Sequence, residues 1–131
     1  MHPRIMVAIA REAQRNAYAP YSNFMVGAAL LTAKGHIYSG ANVENASYGM
    51  SMCAERIAVF KAAAAGERDF RSIAIVGSGS GYIDPCGACL QVLYEFGSDI
   101  KIITTNENDD YQEYYLNEIL TRNFSLQKRS K

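Results

Sequence analysis

The sequence predicts a single three-layer α/β domain over residues 1–131, with a central mixed β-sheet and helices on both faces. Three observations predict it. The 131 residues suffice for one sizeable core but not for two. A hairpin signal around Lys34 and Gly35 is followed by alternating helical and extended segments. No repeat, low-complexity stretch or Pro-rich linker divides the chain.

Residues 3–17 place Ile5, Met6, Ile9 and Ala13 at helical spacing, and Pro3 suits a first helical turn. Residues 19–23 break that pattern. The apolar run 25–31 is followed by Lys34-Gly35, after which residues 36–40 resume extended character, so the pair reads as a hairpin. Residues 51–65 are strong helix formers, and Gly66 is placed to stop them. A buried strand follows at 72–76, and a Gly and Ser loop at 77–85. Residues 86–96 return to helical spacing with Gly97 as the stop, and 100–104 form another strand. After the polar loop 105–110, the segment 111–120 stays open: its aromatics favour strand, its Glu and Leu favour helix. The order is therefore αββαβαβ. Strand, helix, strand, helix, strand implies parallel strands with right-handed crossovers. The helices near Cys53 and Cys86 then both begin beyond strand carboxyl ends and open on one edge of the sheet.

Charge and composition exclude several roles. Lys plus Arg and Asp plus Glu are both 13, so no basic surface is available to neutralise phosphates, and nucleic acid is not expected as a partner. The basic tail of Lys128, Arg129 and Lys131 reads as a solvated end. No apolar stretch approaches the ~20 residues that cross a bilayer, and charges at Arg4, Arg11, Glu12 and Arg15 leave no leader-like core. A soluble, cytoplasmic protein with no membrane partner is expected. The three cysteines cannot all pair within one chain, and a reduced compartment suits metal binding better than crosslinking.

The chemistry resides in Cys53-Ala54-Glu55 and Pro85-Cys86-Gly87-Ala88-Cys89. Three thiolates from the first turns of two helices supply three corners of a zinc tetrahedron and leave the fourth for water, which is a catalytic rather than a structural arrangement. One Zn2+ per chain is expected. His2 and His36 have no ligand spacing to the cysteines. Helix N-termini favour thiolate through unpaired N–H groups and the dipole. Three thiolates overcompensate one dication, and Arg56 is the cation placed to balance them. Glu55 is poorly placed as a ligand beside Cys53 but can face the open metal position. One carboxylate there can take a proton from water and deliver protons to a ring nitrogen and a leaving amine, the division of labour known for zinc deaminases.

These residues resemble the small homotetrameric zinc-dependent cytidine deaminases. The matching stretches are 24–30 (FMVGAAL), 40–56 (GANVENASYGMSMCAER) and 85–89 (PCGAC) with Gln91 and Val92. The resemblance implies a cytidine deaminase-like fold and hydrolysis of cytidine and deoxycytidine to uridine and deoxyuridine with release of ammonia, in pyrimidine salvage. It implies that Asn42 and Glu44 bind the ribose, that Phe24 packs against the nucleoside and that Ala54 contacts the base through its backbone. It further assigns Tyr48 and Phe124 to sites on neighbouring subunits of a homotetramer, Phe124 as an aromatic lid. An alternative is a related zinc aminohydrolase acting on another aminopyrimidine nucleoside. A non-enzymatic zinc module would need a fourth ligand, and a thiol–disulfide exchange protein would leave Cys53 and Glu55 without a role. Two departures from the family pattern stand out: Leu90 follows the last cysteine where Arg is usual, and a usual Pro is absent before Phe124. Leu90 and Tyr94, at i and i+4, read as an apolar pair on a different helix face from Cys89 and Leu93, expected to pack in a subunit interface, with burial inside the chain under the segment 111–120 as the alternative.

Overall fold

The computed structural model describes residues 1–119. Five strands form one sheet in the order β2-β1-β3-β4-β5, with β1 Val26–Thr32, β2 Ile37–Ala41, β3 Phe70–Gly77, β4 Lys101–Thr105 and β5 Tyr111–Tyr115. Only β3 and β4 pair in parallel; the β2-β1, β1-β3 and β4-β5 pairs are antiparallel. Thus β2, β3 and β4 run in the same direction, as the alternation predicted, with β1 inserted between β2 and β3. The open segment resolves into both alternatives in turn, β5 followed by the short helix α4 Leu116–Ile119.

Helix α1, Pro3–Gln14, packs on one face of the sheet. Helices α2, Ala54–Ala64, and α3, Gly87–Tyr94, pack on the other with α4. Period-two alternation separates the two cores. Leu30, Ile73, Ile75 and Ile102 join the α2 and α3 side, while Ala29, Ala74, Val76 and Ile103 meet Met6, Val7 and Ala10 of α1. Each fully buried Ile or Leu contributes about 1.5–3 kcal/mol. That burial is decisive for α3, because an eight-residue helix is marginal in isolation.

Two glycines set how closely the helices approach. A Cβ at Gly27 would lie 2.1 Å from the Ala10 carbonyl oxygen, and one at Gly40 would lie 2.4 Å from that of Ala54. In the β1-β2 register Gly27 faces Ala41 and Gly40 faces Ala28, so the two clear opposite faces, one for α1 and one for α2.

Three expectations are corrected. Helix α1 ends at Gln14 rather than near residue 17, because Tyr18 leaves to bridge Val43. Helix α2 begins at Ala54 because Met52 also bridges Val43 and Cys53 is an extended cap with φ −76° and ψ 151°. Leu90 and Tyr94 pack inside the chain under the 111–119 segment, the alternative to the subunit-interface expectation. Leu90 is 7 % exposed and shares a core cluster with Leu93 and Leu116, Tyr94 packs against that cluster, and α4 covers α3 within the same chain.

Candidate active site

The cysteines arrive at one place because two helix starts do. Cys53 caps α2 and Cys86 caps α3, both extended, and Cys89 lies in the first turn of α3. The connection from β2 to α2 is tied down by Val43, which exchanges backbone bonds with Met52 at 3.0 and 2.9 Å. It is tied again at Tyr18, whose N–H donates to the Asn42 carbonyl at 2.9 Å and whose carbonyl accepts from the Glu44 N–H at 2.8 Å.

The three sulfurs lie within 4.8 Å of one another, and no other such group of His, Cys, Asp and Glu occurs among the described residues. Cys86 and Cys89 Sγ are 3.4 Å apart. At Zn–S bonds of ~2.3 Å, a tetrahedron has sulfur edges of about 3.8 Å, which the observed spacing brackets. The donor set is soft and fits zinc. Arg56 Nη2 donates to Cys53 Sγ at 3.3 Å, and its buried Nε has no partner among the described residues. A hydrogen bond with Cys89, followed by the Arg56 guanidinium, lowers the Cys53 thiol against burial, which opposes it. The same hydrogen bond and burial push Cys89 up. Arg56 is raised by its hydrogen bond to Cys53.

Glu55 sits in the first turn of α2, only 6 % exposed. Burial pushes its carboxyl above the usual range, and the Cys53 charge pushes in the same direction. A buried carboxyl whose affinity for a proton is raised beside three thiols fits a role in proton transfer.

These groups open into a cleft of about 630 Å3, lined also by Phe24, Asn42, Glu44, Tyr48, Ala54, Ile83 and Asp84. Asn42 Oδ1 accepts from the Val26 N–H at 2.9 Å, and Nδ2 donates to the Phe24 carbonyl at 2.8 Å. Glu44 accepts from the N–H groups of Tyr21 and Ser22 at 3.0 and 3.1 Å and from the Ser22 hydroxyl, which lowers its carboxyl. The Phe24 ring forms a wall, 40 % exposed, against Gly77 and Gly79. Tyr48 stands on the rim, 89 % exposed. Ala54 is fully buried at the first position of α2. Phe124 lies outside the described residues. Sequence reasoning missed Ser22, which anchors Glu44, and Ile83 and Asp84, which line the cleft just before Pro85. Ser22 sits where the helical pattern breaks, the one signal that could have drawn notice.

His2 caps α1, accepting from the Arg4 N–H at 3.1 Å, and His36 pairs with Glu67 at 3.0 Å. Neither joins the thiols. A larger polar depression of about 740 Å3 lies at the opposite end of β3 and β4, lined by groups such as Asp69, Arg71, Lys101 and Glu113, without a thiol.

A three-layer α/β sandwich that gathers three thiols, a balancing cation and a buried acid beside a cleft is the layout of a zinc-dependent hydrolytic site. The family described as "Cytidine and deoxycytidylate deaminase zinc-binding region" matches residues 2–105, and the chain belongs to this family. Cytidine deaminase of Sporosarcina psychrophila is 43% identical over 126 residues, 95% of this chain and 93% of that one. Cytidine deaminase of Halalkalibacterium halodurans is 44% identical over 128 residues, 97% of each. The crystal structure of cytidine deaminase from Burkholderia pseudomallei superposes with a TM-score of 0.91 at 46% identity, covering 95% of this chain and 100% of that one. The enzyme from Mycobacterium tuberculosis gives 0.84 at 35% identity over 96% and 99%.

Proposed function

We propose that the chain, as one domain over residues 1–131, is a zinc-dependent cytidine and deoxycytidine deaminase that releases ammonia and leaves uridine or deoxyuridine. The observation that carries this reading is the convergence of three sulfurs within 4.8 Å beside the buried Glu55. Cys53, Cys86 and Cys89 hold one zinc, which when bound supplies Lewis acidity toward a water molecule. Glu55 performs the proton traffic. As a carboxylate it accepts one proton from the attacking water and passes it to N3 of the pyrimidine; it then takes the second water-derived proton from the hydroxyl on C4 as the carbonyl forms and delivers it to the departing 4-amino group, so that water plus cytidine gives uridine plus ammonia. Burial suits it to carry that proton between steps. Arg56 offsets the excess thiolate charge through Cys53.

Recognition uses the valences that the fold leaves over. Asn42 spends one N–H and one lone pair on the backbone, keeping one of each. Glu44 keeps a lone pair on Oε2. A sugar hydroxyl donating to Glu44 and accepting from Asn42 uses the free carboxylate lone pair and the free amide N–H. The Ala54 N–H, without an intrahelical partner at the first position of α2, faces the base, and Phe24 packs against it.

A homotetramer in the cytoplasm, acting in pyrimidine salvage, is the setting we propose. The Phe124 lid then comes from a neighbouring subunit, and Tyr48, on the rim of its own chain's cleft and exposed, is also free to reach a neighbour's site. The exposed Tyr18, Tyr21, Val43, Tyr48 and Met50 support such an assembly, and three free cysteines suit a reducing compartment. Among the described residues no helix is long and apolar enough to cross a membrane.

The test is a panel of cytidine, deoxycytidine, cytosine, CMP and adenosine, read by ammonia release and bound zinc. Turnover of the two cytosine nucleosides with one zinc per chain is expected. Selective turnover of another substrate, or metal-free activity, would overturn the assignment.

A further inference from the structure

Phe24 forms a wall of the cleft, yet it precedes β1, which begins at Val26. Side chains from four places hold the backbone that carries it. The Phe24 N–H donates to Ser22 Oγ at 3.0 Å, and its carbonyl accepts from Asn42 Nδ2 at 2.8 Å. The Met25 N–H donates to Ser78 Oγ at 2.9 Å, and its carbonyl accepts from Gln14 Nε2 at 2.9 Å. Ser22 and Asn42 line the cleft. Gln14 does not. It is the last residue of α1, buried on the face of the sheet opposite α2 and α3.

Gln14 is itself oriented. Arg11 Nη1, one turn earlier, donates to Gln14 Oε1 and to the Gly77 carbonyl, both at 2.9 Å. Its Nε donates to Asp109 Oδ1 at 3.1 Å, and Nη2 bonds the same oxygen. Gly77 is the end of β3, and a Cβ there would lie 3.1 Å from Phe24 Cζ. Arg11 and Gln14 therefore grip both the backbone that carries Phe24 and the floor on which its ring rests. With the Gln14 amide turned by Arg11 so that its oxygen faces the guanidinium, its nitrogen is left to point at Met25.

We propose that Gln14 is a positioning residue for substrate binding, oriented by Arg11 and Asp109 and acting through Met25 on Phe24 from the far side of the sheet. This rests on the reading of the cleft as a nucleoside site with Phe24 as a wall. A plain tether would show itself in stability alone. A positioning residue shows itself in KM, because loosening Phe24 weakens contact with bound nucleoside without touching the thiols or Glu55.

Gln14→Met keeps the length of the side chain and removes the amide. On cytidine it is expected to raise KM about three- to tenfold, the worth of one neutral hydrogen bond, with kcat and zinc content near parental. In a Phe24→Ala background the same substitution is expected to change KM by less than about twofold, since interacting residues are non-additive. Gln14→Glu keeps an acceptor for Arg11 but turns an oxygen toward the Met25 carbonyl, and should raise KM at least as much; it carries the test if the Met variant does not fold. A parental KM in the variant that folds, or an equal rise with and without Phe24, overturns the proposal. A parent without cytidine turnover would sink the reading of the cleft as well, whereas an active parent with an unaffected variant sinks only the role of Gln14.

Discussion

Two carboxylates have the same small surface exposure in this molecule, each 6 % exposed, and they titrate in opposite directions. Glu55, at the start of α2, is pushed up by burial. Glu67, just past the end of the same helix, is held down at about 2 by hydrogen bonds from Thr32 and Tyr38, with His36 adding to both. The difference lies in depth and in donors: desolvation dominates at the more deeply enclosed Glu55, and hydrogen bonds dominate at Glu67. At the hairpin end, side chains converge on Glu67 and satisfy its charge; at the thiol end, Glu55 meets sulfurs and an open cleft. Surface exposure alone therefore does not set ionisation; desolvation weighed against the donors that reach the carboxylate does. An acid left short of donors is available to move protons, whereas one fully bonded serves the fold.

The largest way to break this contrast is to remove what Glu55 serves. Cys86→Ala takes away one of three soft ligands, and loss of zinc together with essentially all turnover is expected, read by metal analysis and ammonia release. Full zinc retention would refute the three-thiolate assignment. Next in size is Glu55→Gln. It preserves shape and removes the proposed proton shuttle, so kcat should fall by at least ~10² to 10⁴ while zinc remains bound. Turnover within about tenfold of the parent would take Glu55 out of the mechanism. Because the parent buries a carboxyl there with few donors, the Gln variant should melt no lower than the parent.

The site was legible in the sequence to the extent that its chemistry is local. Cys53 with Glu55, and Cys86 with Cys89, are short-range spacings on two helix starts, so residue types alone point to metal and proton transfer. The exact helix starts were less legible. The capping cysteines are extended because Met52 is held by Val43, a pairing that no local pattern contains. Leu90 was misjudged for the same reason. Its covering element, α4, is a single turn at the end of a segment whose aromatics and Glu-Leu pattern point two ways. The double duty of Asn42 and Glu44, which brace residues 21–26 while facing the cleft, depends on partners 16–23 positions away and lies beyond periodicity.

The smallest effect sharpens the contrast from the other carboxylate. Glu67→Gln should leave kcat, KM and zinc content unchanged, because Glu67 is not among the residues lining the cleft, but it should lower Tm at neutral pH. Its sign with pH follows from the shift. The folded-state value, about 2, lies below the ordinary 4.5, so the unfolded chain takes up the proton first as pH falls. The stabilisation is complete above about pH 4.5 and is lost between there and about pH 2. The Tm gap between parent and variant should accordingly narrow steadily as pH falls from about 4.5 toward 3. Zinc release in acid acts on both proteins alike and cancels in the difference. A gap that widens as pH falls below about 4.5 would mean that the Glu67 carboxyl is not held down in the folded protein, and the division between a bonded acid and a working acid would fail. A changed KM in the variant would mean that the hairpin end reaches the cleft, and the two carboxylates could no longer be assigned to separate tasks.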